Sequence, residues 1–200
     1  MPPSTPLFAF SPIWTLVFWL SFAAWFSVEY WIFRRDRPTV QGVVADRGSA
    51  KLLVRLIYAG ILSAFACGYG VAATRIAQDP GAVFAAAIAL MWTGLAVRIW
   101  AVRTLGRFFR TAIIVQDDHQ LITAGPYRYL RNPSYSGALI TVAGFGLAMG
   151  NWLSLICAIG ATLIGYVWRI RVEEAALSER FGAAFETYRK GSWAIIPLVW

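Results

Sequence analysis

Charge is scarce in this chain: Asp, Glu, Lys and Arg make up 14% of 200 residues, against 58% hydrophobic. Average globular chains carry roughly 25% charged residues and lack apolar runs of twenty. An ordinary soluble domain is thereby excluded. Alternation is missing as well, since the apolar runs are continuous rather than period-two, which excludes a transmembrane β-barrel. Cysteine is nearly absent. Cys67 and Cys157 both fall inside apolar runs and read as small packed hydrophobes, so a secreted disulfide scaffold is excluded too. No Gly-x-Gly-x-x-Gly fingerprint marks a dinucleotide site, and no metal site is expected. The N-terminal Met1-Pro-Pro-Ser-Thr-Pro6 lacks the positive region of a signal peptide, so the first apolar run is expected to stay in the mature protein.

The apolar runs approach or exceed the ~20 residues a helix needs to cross ~30 Å of hydrocarbon. They predict an all-α, polytopic helical membrane protein of about five transmembrane helices with a cytoplasmic C-terminal helix. The runs are Phe10 to Phe33, Leu52 to Ile76, Ala82 to about Val102, Ser136 to Met149 and Leu153 to Val167. Pro80-Gly81 and Gly150-Asn151-Trp152 read as turns, and the last two runs as a hairpin whose first arm only just spans. Residues 1–102 form a unit of three N-terminal helices, and residues 103–200 hold the polar segments.

Basic residues cluster between alternate runs. With five spans, the first loop, the third loop and the tail hold seventeen of the eighteen Lys and Arg, the exception being Arg75. The positive-inside rule then places the N-terminus outside and the C-terminus in the cytoplasm. This distribution also argues against nucleic acid as the reason for a net charge of +8. No internal repeat favours an inverted-repeat transporter, and no Gly-x3-Gly stripe assigns a dimer face. Gly144, Gly146 and Gly150 allow tight packing in the hairpin.

Two polar segments share the cytoplasmic side. In the first, Arg103, Arg107 and Arg110 recur at helical spacing beside Leu105, Phe108 and Phe109, as in an interfacial helix touching lipid phosphates. Ala112 to Val115 is a short β-branched run. His119 to Tyr135 then lacks a helical pattern, with Gly125-Pro126 and Asn132-Pro133 as breakers. Its free backbone donors beside tyrosine faces suit a polar ligand with a planar ring. In the second segment, Arg169 and Glu173 stand i,i+4 on a helix that continues the fifth run. They read either as an exposed ion pair or as a cation and carboxylate offered to a charged ligand. Gly182 ends that helix, and Phe185, Tyr188 and Trp193 dock the tail.

Gly125-Pro-Tyr-Arg-Tyr-Leu-Arg-Asn-Pro-Ser-Tyr135, the apolar hairpin, Arg169-x3-Glu173-Glu174, Phe181-Gly182, Tyr188 and Ile196-Pro197 together resemble the isoprenylcysteine carboxyl methyltransferase family, whose relatives include phospholipid N-methyltransferases. The resemblance covers roughly His119 to Pro197. It implies a membrane enzyme using S-adenosyl-L-methionine, with the cofactor pocket on the cytoplasmic face closed by the tail. It places His119, Gln120, Leu121, Ile122, Tyr127, Asn132, Pro133, Ser134, Tyr135 and Glu173 at the cofactor, and Arg169 at the acceptor as the catalytic and substrate-binding arginine. Asn132 stands where the family commonly has histidine; it can hydrogen-bond but carries no charge.

Methyl transfer from a sulfonium is an in-line displacement, so the protein's work is positioning and desolvation. An ionised carboxylate acceptor needs no base, and Arg169 suits it by two parallel hydrogen bonds. An amine acceptor needs a base, for which His119 and Glu174 are the candidates. The expected acceptor is lipophilic, such as an isoprenylated cysteine, reached from among membrane lipids. A phospholipid amine, an NADPH-dependent sterol-type reductase and a non-enzymatic scaffold or small transporter are the other readings.

Overall fold

A chain with this little polarity satisfies its backbone internally, and each apolar run forms a helix. The computed structural model describes residues 5–35, 43–44, 48–76, 79–109, 114–115 and 121–199. The helices are α1 (Pro12–Arg35), α2 (Ser49–Gly70), α3 (Pro80–Leu105), α4 (Pro133–Ala148), α5 (Trp152–Phe181) and α6 (Ala183–Lys190). Two two-residue strands, β1 (Val43–Val44) and β2 (Ile114–Val115), pair antiparallel between the first and third loops. Among the described residues, α1, α2, α3 with its following turn, and α5 are long and apolar enough to cross a membrane. At 16 residues α4 is about 24 Å long at 1.5 Å per residue, shorter than the other four and packed between α3 and α5. The protein is a multi-pass helical membrane protein.

The five long helices alternate in direction between two ends. At the turn end, Leu7 N donates to Met149 O (3.1 Å) and Ile76 N to Gly150 O (3.0 Å). Arg75, the basic residue set apart from the other seventeen, donates there to Thr5 O at 2.6 Å. Buried Asn151 organises this end. Its Oδ1 caps α5 by accepting from Leu153 N (2.9 Å) and Ser154 N (3.1 Å), while its Nδ2 donates to Val71 O (2.7 Å). The α-helix of the second apolar run ends at Gly70, a 3-10 turn follows at Ala72–Thr74, and Asn151 takes up the Val71 carbonyl at this end.

Glycine sets how closely the helices approach, though not only where the hairpin suggests. Gly144 faces α3, where an added Cβ would lie 2.5 Å from Ala87 O and 2.7 Å from Met91 N. Gly146 does face α5, at 2.9 Å from Leu155 Cα, and Gly150 takes the positive φ of the α4–α5 turn. Gly94 and Gly137 extend the α3–α4 contact toward the opposite end of the bundle. An aromatic core built on Phe8, Phe18, Trp25, Phe65 and Phe145 fills the turn-end half. A smaller cluster of Ala138, Tyr166, Ile170, Ala194 and Ile195 carries the tail at the basic end.

Candidate active site

Four helix ends meet α5 at the basic end, where it leaves the apolar run: the last turns of α1 and α3 and the first turns of α2 and α4. Pro133 at the first helical position starts α4 with its φ already set. The carbonyl of Asn132 accepts from Tyr135 N (3.0 Å) and Ser136 N (3.1 Å), while its own N–H donates to Ala194 O (3.0 Å). Its side chain caps nothing, and Nδ2 is buried with no hydrogen-bond partner among the described residues. A buried amide donor without a partner costs on the order of 1–3 kcal/mol.

Arg169 is not the exposed half of an ion pair, for it is only 3% exposed. Its Nε donates to the Tyr135 hydroxyl at 2.8 Å, and that hydroxyl donates to Glu173 Oε2 at 2.9 Å. The phenol thus bridges the two charged groups that i,i+4 spacing places on one face. Nη1 of Arg169 donates to Ser49 Oγ at 3.0 Å, fastening the first turn of α2 to α5. The Tyr135 ring stacks on Tyr166 with centroids 4.6 Å apart. Pro133 and Ser134 are buried beside it; Leu121 and Ile122 are half-buried in irregular backbone. Tyr127 is buried, and burial together with the nearby Glu173 carboxylate pushes its phenol well above the usual value. It stays a neutral hydrogen-bonding group. His119, Gln120 and Arg110 lie outside the described residues.

The tail closes over this end. Arg131 N donates to Trp193 O (2.7 Å) and Trp193 N to Tyr129 O (3.0 Å), a parallel bridge between the loop and the tail. The Arg131 guanidinium pairs with Glu174 (2.8 Å) and also donates to the carbonyls of Arg189 and Ser192. Tyr188 donates to Tyr127 O at 2.7 Å; burial, with a further push from Glu174, raises its phenol to about 12. Phe185 is buried beneath it. Replacing Arg131 by alanine should therefore free the tail. Limited proteolysis is expected to cut residues 183–199 at least tenfold faster, since several charge-assisted bonds go together. Unchanged cleavage would mean that Phe185 and Ile195 hold the tail without it.

A cavity of about 790 Å³ lies next to Arg169. One side is α1 from Trp25 to Phe33, the other α2 from Ala50 to Ile61, and Arg98, Tyr135, Ala138, Val142, Tyr166 and Arg169 close the back. Its lining is mainly apolar, with polar groups gathered at the basic end. Sequence reading missed one of these. Glu29, a lone carboxylate in the apolar α1, meets Arg98 of α3 with Nη2 donating to Oε2 at 2.6 Å. A single charge in each of two apolar runs, Phe10 to Phe33 and Ala82 to Val102, is itself a signal that the two pair.

Residues 82–184 match the phospholipid methyltransferase family, and the chain belongs to it. The Schizosaccharomyces pombe protein-S-isoprenylcysteine O-methyltransferase is 34% identical over 109 residues, covering 48% of this chain and 46% of the relative. A probable protein-S-isoprenylcysteine O-methyltransferase of Oryza sativa subsp. indica is 35% identical over 108 residues, covering 53% and 56%. The chain thus spans about half the length of the curated relatives it matches. Its fold is similar to the solved structure of the eukaryotic intramembrane Ras methyltransferase ICMT, with a TM-score of 0.56 at 22% identity, over 73% of this chain and 52% of that one.

Proposed function

We propose that this protein transfers a methyl group from S-adenosyl-L-methionine to the carboxylate of a lipophilic acceptor such as an isoprenylated cysteine. One observation carries the reading: buried Arg169 stands at the polar end of a largely apolar cavity and is linked through the Tyr135 hydroxyl to Glu173. An amphiphile with a carboxylate head matches that cavity. The names of the relatives point the same way, and the family leaves the reductase and scaffold readings without support.

The residues fit the cofactor. Glu173 offers a carboxylate for its ammonium or ribose hydroxyls, and Asn132 Nδ2 is a buried donor in need of an acceptor. With Leu121, Ile122, Tyr127, Pro133, Ser134 and Tyr135 these residues would hold it, joined by His119 and Gln120 by resemblance. The bound cofactor supplies an electrophilic methyl on a sulfonium. Arg169 orients and neutralises the acceptor carboxylate, which keeps its nucleophilic lone pair and needs no base. Tyr135 holds Arg169 and Glu173 at a fixed separation, so both reactants are positioned by one hydroxyl. Burial by the tail excludes water. The amine alternative is weaker, because Glu174, one of its two candidate bases, is engaged by Arg131 at 2.8 Å.

Calorimetry on detergent-purified protein tests the cofactor assignment: S-adenosylhomocysteine is expected to bind and NADPH not to. The reverse preference would overturn it.

The distribution of basic residues supports an N-terminus outside and a cytoplasmic site. With Cys67 and Cys157 replaced by alanine, cysteines at Phe10 and Val199, both exposed, are expected to label from opposite sides of the membrane. Labelling of both from one side would refute that orientation.

A further inference from the structure

The start of α4 presents Asn132, Ser134 and Tyr135, yet no side chain of its own caps it. Its position is set from outside. The tail grips it where Asn132 N donates to Ala194 O (3.0 Å) and Ser136 Oγ to Ile195 O (2.6 Å). From α5, Arg169 reaches the Tyr135 hydroxyl. From α3, Arg98 Nη1 donates to Ser134 Oγ (3.0 Å) and to Ser134 O (3.2 Å). The other edge of the same guanidinium faces α1: Nη2 donates to Glu29 Oε2 at 2.6 Å, and Nε lies 2.6 Å from Oε1. Close helix packing allows this reach. A Cβ on Gly137 would lie 3.0 Å from Arg98 Cα, so the arginine leaves α3 directly beside the first turns of α4. A guanidinium is a rigid planar fork, and fixing one edge fixes the direction of the rest. Glu29 therefore aims Nη1 at Ser134.

We propose that Arg98 is a positioning residue for the cofactor: aimed by Glu29, it holds the first turn of α4 in the register that presents Asn132, Ser134 and Tyr135 to S-adenosyl-L-methionine. The inference rests on the cofactor assignment of that segment. Charges within apolar helices are expensive and are expected to have a use. A strut between α1 and α3 asks only that the two charges meet. Here Nη1 turns away from the carboxylate to a hydroxyl and a main-chain carbonyl on a third helix. The two roles separate when the charges are exchanged between positions 29 and 98. The ion pair forms again, but the carboxylate now beside Ser134 repels its carbonyl oxygen instead of donating to it.

The test measures S-adenosylhomocysteine binding and thermal melting together on detergent-purified protein. The variants are the exchange Glu29→Arg/Arg98→Glu, Arg98→Lys, Ser134→Ala and Arg98→Lys/Ser134→Ala. The exchange and Arg98→Lys both keep opposite charges paired, so both are expected to melt close to wild type. Both should bind S-adenosylhomocysteine about tenfold more weakly, the size of one charge-assisted hydrogen bond. An ammonium is a point charge without a second arm for Ser134, and Arg98→Lys decides the matter where the exchange variant does not fold. In the Ser134→Ala background, Arg98→Lys should weaken binding only about twofold, because two groups acting through one contact are not additive. Wild-type affinity in Arg98→Lys and in the exchange variant overturns the proposal. So does an effect of Arg98→Lys that is as large with Ser134→Ala as without it. Affinity that falls only in variants that melt early makes Arg98 a strut, and overturns it too. A wild type that does not bind S-adenosylhomocysteine would instead defeat the cofactor reading.

Discussion

Arg169→Ala is expected to cut methyl transfer to the carboxylate acceptor about a hundredfold or more, while S-adenosylhomocysteine still binds within about twofold of wild type. Loss of a charge-assisted hydrogen bond costs roughly 1.5–3 kcal/mol, and a guanidinium can offer a carboxylate two of them. The groups that Tyr135 and Ser49 present to Arg169 are neutral hydroxyl oxygens, which can accept from another donor such as water when it is removed. Glu173→Gln should show the opposite split: weaker cofactor affinity, about tenfold or more, with the acceptor's KM little changed. Tyr135→Phe should move both, because its hydroxyl accepts from Arg169 and donates to Glu173. Kinetics and calorimetry on the three variants check this. An Arg169→Ala enzyme that turns over normally would remove Arg169 from the acceptor site. Equal loss of cofactor affinity would make it a structural residue shared by both.

Gly137→Leu should disrupt the bundle. A Cβ at Gly137 would lie 2.6 Å from Arg98 N and 2.7 Å from Gly94 O, both backbone atoms that cannot swing aside. The helices would have to part, and α4 would lose the register that sets Ser134 against Arg98 and Tyr135 against Arg169. Overpacking of a tight core costs about 1–3 kcal/mol even where neighbours can yield, and here they are main chain. The variant is expected to lose its cooperative thermal transition in detergent. Gly160→Ala, where nothing lies within 4 Å, should melt like wild type or slightly higher. Similar melting of all three proteins would show that α3 and α4 are not in such close contact.

The helices were legible because each is an apolar run of very few charges bounded by Pro, Gly or a basic block. Gly182 and the Gly150-Asn151 turn end or begin helices where their chemistry requires. What could not be read is what depends on groups distant in sequence. The carbonyl at the end of α2 is taken up by Asn151, eighty residues further on. Gly144 reads as a hairpin glycine until α3 is known to lie against it. At the site, spacing alone puts Arg169 and Glu173 on one face, but cannot show that Tyr135 stands between them or that Arg169 is buried. Glu29 and Arg98 are each visible as a lone charge in an apolar run. That both line one cavity is a property of the packing.

Methyl transfer itself tests the central claim most directly. Purified protein is incubated with methyl-labelled S-adenosylmethionine and an S-farnesylated carboxylate acceptor, and the lipid product is treated with alkali. The account predicts label in the lipid fraction that alkali releases as volatile methanol, the behaviour of a methyl ester. Label that enters lipid but withstands alkali, as an N-methyl group does, would contradict it, and so would no transfer by protein that binds S-adenosylhomocysteine.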